Sequence, residues 1–272
     1  MKYLITGIPR SGTTLCCHIL NQQNNIVALH EPINPSQLNL NSSNVVKVVS
    51  QKYNDFQQAL YQGTEFEHGD NAGLEIDNPV GLSVVKGKRE VIAKRGKIKV
   101  PKYIGKDIQL FIKQNALFTA FLSELSEHFN VTCIVRNPVD VLLSWWTVNL
   151  PVSKGSLPAG ENNDASLKQV LSSQKDELQR QLIIYQWFAR QFVAANSTII
   201  RYEDIIKTNG QALFNAANVV QTKPLSLEAK TRVYSDDIIL KLKHQQNAIM
   251  QMDCFGLYSQ DEIVQSIEAI LA

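Results

Sequence analysis

The chain has 272 residues, 44% of them apolar and 19% charged, with a formal net charge of +2. That balance is ordinary for a soluble globular enzyme. It excludes the whole chain as a binder of nucleic acid or another polyanion, and no apolar run approaches the ~20 residues that span a bilayer. One α/β domain over residues 1–272 is the simplest expectation for this length, with a less readable insertion near 37–106.

Lys2 to Thr6 is a short apolar run with β-branched and aromatic members, which predicts a buried strand. It is too short for an apolar export region, so no export signal is expected. Gly7-Ile8-Pro9-Arg10-Ser11-Gly12-Thr13-Thr14 follows, and then Leu15 to Gln22 as an amphipathic helix. Strand, glycine-bounded loop and helix form the layout of a phosphate-cradling loop, whose backbone N–H groups and helix N-terminus point at one anion. Gly7 to Gly12 fits the spacing G-x-x-x-x-G, but Thr13 stands where a nucleotide hydrolase places lysine. The positive charge lies inside the loop instead, at Arg10.

Further strands are expected at Ile26–Leu29, Ile108–Ile112, Val131–Val135 and Ser197–Ile200. Helices are expected at Val45–Tyr61, Ala116–Phe129, Pro138–Trp146, Leu167–Ala195 and Asp261–Leu271, with loops at Asn34–Asn44 and Pro151–Asp164, the latter mobile. Asn137 with Pro138 after it is an N-cap followed by proline at the first helical position. Alternation of apolar strands with helices predicts a P-loop-like three-layer α/β sandwich, a central parallel sheet flanked by helices. Ten Lys or Arg between Lys86 and Lys113 face only Glu90 and Asp107, and Glu65, Glu67, Asp70, Glu75 and Asp77 precede them. These stretches read either as solvated faces that neutralise each other or as a basic wall beside an anionic ligand.

Cys16, Cys17, Cys133 and Cys254 have no metal-ligand spacing, and neither do the histidines, so no metal is expected. Cys16 and Cys133 read as small core residues, in keeping with a reducing, cytoplasmic setting. At least one of Trp145 and Trp146, and Trp187, read as core.

Arg136 leaves the C-terminal end of a buried strand, where ligands bind in open α/β sheets. Ser144 lies two helical turns beyond it. A guanidinium fork and a hydroxyl so placed can grip a phosphate; the plainer reading pairs Arg136 with Asp140. Both segments together resemble the sulfotransferase family, whose donor is 3′-phosphoadenosine 5′-phosphosulfate. Pro9-Arg10-Ser11-Gly12-Thr13-Thr14-Leu15 is similar to the family's 5′-phosphosulfate loop, in the form found in tyrosylprotein sulfotransferases and bacterial relatives. Arg136-Asn137-Pro138-Val139-Asp140 with Ser144 is similar to its 3′-phosphate motif, and Arg201-Tyr202-Glu203-Asp204 to a third element.

The resemblance implies that residues Pro9 to Thr14, with Arg136, Ser144 and Tyr202, bind the donor, Tyr202 near the adenine. It implies adenosine 3′,5′-bisphosphate as the product, an acceptor with a hydroxyl or amine, and no metal. It also implies Glu31, in His30-Glu31-Pro32 after the second strand, as the base. Pro32 is expected to hold Glu31 extended, and His30 is the second candidate base. Arg10 and Lys113 are the candidates for stabilising the leaving oxygen; a solvent-facing Lys113 is the alternative. A kinase-like phosphotransferase and a non-catalytic nucleotide-binding protein on the same fold are the rival functions.

Overall fold

Residues 1–70, 80–85, 88–91, 94–102, 105, 107–195, 197–228 and 233–272 are described by the computed structural model. Its strands are β1 (Tyr3–Gly7), β2 (Ile26–His30), β3 (Phe66–Asp70), β4 (Val80–Val85), β5 (Lys88–Val91), β6 (Lys94–Ile98), β7 (Gln109–Lys113), β8 (Asn130–Val135) and β9 (Thr198–Arg201). Five of them form a sheet in the order β2-β7-β1-β8-β9, and every pairing in it is parallel. All five residues of β1 and of β2 are buried, as befits strands covered on both faces. The remaining strands make two antiparallel pairs, β3 with β6 and β4 with β5.

Helix α1 (Thr13–Asn21) packs on one face of the sheet, where Cys16, Ile19 and Leu20 meet Ile5, Ala28 and Phe214. On the other face lie α2 (Val45–Gln62), α3 (Ala116–Ala120), α4 (Leu122–Ser126), α5 (Pro138–Trp146) and the 177–194 helix, which contribute Tyr53, Phe118, Leu142 and Phe188 to the larger core. Both faces of the sheet are therefore covered, as a three-layer α/β architecture requires. β1 lies at the centre, with β7 on one side and β8 on the other. The chain adds β2 and β7 on one side of β1 and then β8 and β9 on the other, so the strand order reverses at the C-terminal end of β1, where open α/β sheets form their crevice.

Three expectations need correction. The helix expected over 116–129 breaks at Phe121, which takes φ −123 and ψ 29 between α3 and α4. The helix expected over 167–195 breaks into Ala165–Ser173 and Glu177–Ala194, because Gln174 turns extended and Asp176 caps a new helix by accepting from the N–H of Gln179. The loop expected over 151–164 carries a 3₁₀ turn at Pro151–Lys154 and a short helix at Pro158–Glu161, each opened by proline.

Of the charged stretches, Glu75, Asp77, Lys86 and Lys106 lie outside the described residues. Lys102 reaches the carbonyls of Asn21, Gln23 and Ile26 at the end of α1, so this lysine closes a helix terminus rather than lining a basic wall. Trp145, Trp146 and Trp187 are all buried. No helix among the described residues is long and apolar enough to cross a membrane.

Candidate functional site

Gly7 ends β1 where nothing larger fits: a Cβ there would stand 2.6 Å from the carbonyl of Ile134 and 2.5 Å from Thr13 Cγ2. The loop then turns through Arg10 at φ 73 and Gly12 at φ 95. Ser11, expected among the donor-binding residues, braces the loop. Its hydroxyl donates to the Ile134 carbonyl at 2.9 Å and its N–H to the Ile8 carbonyl at 2.9 Å. Trp145 Nε1 donates to the Pro9 carbonyl at 2.8 Å from the other side. The first bond of α1 runs from Cys16 N–H to the Gly12 carbonyl, and no side chain caps the helix. The N–H groups of Gly12, Thr13, Thr14 and Leu15 therefore have no intrahelical partner, and the positive end of the helix is open to an anion.

Arg136 follows β8 and is 9% exposed. Its carbonyl accepts from the Tyr185 hydroxyl at 2.9 Å, and the next N–H, of Asn137, donates to Glu203 Oε1 at 3.0 Å. Asn137 caps α5 as expected, accepting from the N–H of Val139. The guanidinium lies 3.3 Å from Asp140 and 4.4 Å above the Tyr202 ring. Its Nε is buried with no hydrogen-bond partner among the described residues. Buried polar atoms are nearly always paired, so this one marks capacity for an anion beyond Asp140. The Tyr202 ring also lies against Gly12, where a Cβ would stand 2.5 Å from its Cδ2. Tyr202 thus bridges the loop after β1 and the segment of Arg136. Ser144 is fully buried, and its Oγ accepts from Arg10 Nε at 3.3 Å, a second bridge between them.

β2 and β7 end side by side, His30 opposite Lys113 in register. Lys113 is 4% exposed, not solvent-facing, and its Nζ lies 2.7 Å from Glu31 Oε1. Glu31 is not extended but takes φ 54. Its N–H donates to the Lys113 carbonyl at 2.7 Å; with the ion pair, that bond outweighs the preference Pro32 imposes. Gln114 steadies the same turn by donating to the Ile33 carbonyl at 2.6 Å. His30 is buried, its ring 4.8 Å from that of His68 and nearly perpendicular to it.

Sequence reasoning quoted Arg201 and Glu203 only as part of a motif and missed Tyr258 and Glu262, with which they hold these groups in place. Glu203 accepts from Asn137 and, through Oε2, from the Tyr258 hydroxyl at 2.7 Å. Arg201 pairs with Glu262 at 2.6 Å, lies over the Tyr258 ring and donates to the Leu257 carbonyl. Burial pushes the Tyr258 phenol far up, and the Glu203 carboxylate adds to it. The Ser259 N–H, with help from Arg201, holds the Glu262 carboxyl below its usual range. A signal existed in Ser259-x-x-Glu262, a capping box that the structure forms. Burial raises the Cys133 thiol to about 12 and Cys16 higher still, which leaves both neutral. Among the described residues no group of three or more His, Cys, Asp or Glu could hold a metal ion.

A family model described as a sulfotransferase domain matches residues 1–213. Among solved structures, a crystal structure of a sulfotransferase from Alicyclobacillus acidocaldarius aligns with a TM-score of 0.44 and 10% identity, covering 99% of this chain and 95% of that one. No curated protein sequence matches this chain.

Proposed function

The chain belongs to the sulfotransferase family, and on that premise we propose that it moves a sulfonate from 3′-phosphoadenosine 5′-phosphosulfate to a hydroxyl or amine acceptor. The observation that carries the proposal is the hydrogen bond of 3.3 Å from Arg10 to Ser144, which joins a phosphate-cradling loop to the segment of Arg136. The donor has a phosphosulfate at one end and a phosphate at 3′, so it needs two neighbouring anion sites.

In this reading the open N–H groups from Gly12 to Leu15, with Arg10, receive the 5′-phosphosulfate. Arg136 receives the 3′-phosphate, and Tyr202 offers a ring beside both. The bound donor supplies the sulfonate. The acceptor oxygen forms a bond to sulfur while the bond from sulfur to the 5′-phosphate oxygen breaks. Glu31 takes the acceptor's proton, and adenosine 3′,5′-bisphosphate departs with the electron pair. As Glu31 becomes neutral, its hold on Lys113 weakens, and the ammonium is released toward the negative charge on the leaving oxygen. Sulfuryl groups carry less charge than phosphoryl groups, so the proposal includes no metal clamp. Four free, buried cysteines fit a reducing compartment, and a cytoplasmic enzyme is part of the proposal.

Thermal melting tests the binding half. Adenosine 3′,5′-bisphosphate at 100 times its dissociation constant stabilises the fold by about 2.7 kcal/mol, with ATP far less effective. Equal stabilisation by ATP overturns the two-site argument. Transfer of labelled sulfonate in the presence of a chelator tests the chemistry, and activity that needs added Mg²⁺ favours the kinase-like rival.

A further inference from the structure

A cavity of about 430 Å³ lies beside Glu31, and none of the roles above uses it. Pro32 and Ile33, the residues directly after the acid, form part of its wall. The Cα of Pro32 is about 3.8 Å from that of Glu31 across the peptide bond, so the cavity wall begins one residue along the chain from the proposed base. The volume falls toward the lower end of the ~300–1,000 Å³ typical of small-molecule sites. Phe56 of α2 and Phe66 of β3 give it an aromatic wall, their rings meeting edge-on at 5.5 Å. Among the described residues its charged groups are Lys52, Asp55 and Glu67, one ammonium against two carboxylates. The nearby cation Lys113 is already engaged by Glu31.

We propose that this cavity binds the acceptor, and that it takes an uncharged or cationic hydroxyl compound with one flat apolar face and rejects anions. Its role as an acceptor site rests on the sulfotransfer reading; its charge preference does not. The aromatic wall suits a flat face. An anionic acceptor meets two carboxylates with one ammonium to offset them, and like charge across a binding surface is a standard means of rejecting a partner.

Three phenols of one shape separate the charges: tyrosol is neutral, tyramine cationic and 4-hydroxyphenylacetate anionic. Binding to the full chain, loaded with adenosine 3′,5′-bisphosphate, is measured by ligand-observed NMR. Tyrosol and tyramine are expected to bind, and 4-hydroxyphenylacetate about two- to fivefold more weakly, the scale of one exposed charge contact. Asp55→Asn with Glu67→Gln should erase that difference without weakening tyrosol. Both side chains are exposed, so the fold is not at risk, and melting confirms it. Phe66→Ala should weaken all three phenols together. Equal binding of the three by the unaltered protein, binding of none, or a preference untouched by the double substitution overturns the proposal. Sulfonate transfer is followed on parallel samples given 3′-phosphoadenosine 5′-phosphosulfate in place of the bisphosphate. If charge selectivity holds while no acceptor is sulfonated, the cavity's preference stands and the enzymatic reading fails. If transfer proceeds without charge selectivity, the inference about the cavity fails alone.

Discussion

Lys113 Nζ and Glu31 Oε1 lie 2.7 Å apart, yet the lysine side chain is 5% exposed and the glutamate side chain 50%. The two ends of this ion pair are therefore unequal. Loss of Glu31 strands a buried ammonium, whereas loss of Lys113 leaves a carboxylate that water can reach.

Glu31→Ala should accordingly cost about 1–3 kcal/mol of stability, the usual cost of an unsatisfied buried donor. Lys113→Met should cost less, because its stem packs as methionine does and the freed carboxylate is solvated. Urea unfolding of the two variants checks the order, and a larger loss in Lys113→Met contradicts the asymmetry. Glu31→Gln keeps shape and a hydrogen-bond acceptor for the lysine. Its turnover should fall by about 10²–10⁴, the range of general-base losses, with donor affinity nearly unchanged. Near-normal turnover in that variant moves the proton to another group, His30 first.

In the proposed reading, Arg136 is the group on which discrimination for the 3′-phosphate depends. Its Nε is buried and without a hydrogen-bond partner among the described residues, while Asp140 engages only the end of the guanidinium. A charge-assisted hydrogen bond contributes about 1.5–3 kcal/mol, so Arg136→Ala should weaken adenosine 3′,5′-bisphosphate about tenfold or more and bring it level with AMP. Calorimetric titration of both nucleotides reads this directly. A variant that still prefers the bisphosphate by the original factor shows that the 3′-phosphate binds elsewhere.

The loop after β1 and the start of α5 were legible because chain order and spacing alone determine them. β1, its glycine-bounded loop and α1 are contiguous, and Asn137-Pro138 announces its own helix start. The pairing of Glu31 with Lys113 was not legible, since 82 residues separate them and only the β2–β7 register brings them together. The backbone of Glu31 was misread because a local rule for residues before proline lost to a tertiary hydrogen bond. The brace from Ser11 was not legible for a related reason: its hydroxyl meets a carbonyl 123 residues away. The broken helices failed in their interiors, where Phe121 and Gln174 take non-helical angles that apolar periodicity does not encode.

Glu203 holds Arg136 indirectly, by one carboxylate oxygen on the Asn137 N–H and the other on the Tyr258 hydroxyl. Tyr258 and Glu262 lie beyond residue 213, where the family match ends, so this part of the chain adds its own support. Tyr258→Phe should weaken bisphosphate binding modestly and raise KM for the donor more than it lowers kcat, because the residue positions Arg136 and touches no reacting atom. Acid should loosen the same support. The Glu262 carboxyl is held below its ordinary value of 4.5 in the fold. A depressed folded value stabilises above the unfolded one and is lost as pH falls through the folded one. Melting temperature should therefore fall below about pH 4.5, and Glu262→Gln should flatten that part of the profile. An unchanged acid limb in Glu262→Gln removes this residue from the account.

Gly12 meets two constraints at once, a backbone at φ 95 and a Tyr202 ring that a Cβ would approach to 2.5 Å. Gly12→Ala should therefore destabilise by more than the ~1 kcal/mol that left-handed backbone alone costs an alanine. The excess belongs to the clash. In a Tyr202→Ala background the ring is gone and only the backbone cost remains, so the two substitutions should be strongly non-additive, with a coupling on the order of 1 kcal/mol or more for residues in contact. Donor binding should follow a different pattern. Gly12→Ala displaces the ring that lies beneath the Arg136 guanidinium, so bisphosphate affinity should drop in the single variant, and removal of the ring should not restore it. Unfolding free energies of the four proteins in the cycle, measured beside bisphosphate titrations, separate the two effects. Additive stabilities would show that Tyr202 moves aside freely and is not the wedge between the loop and Arg136.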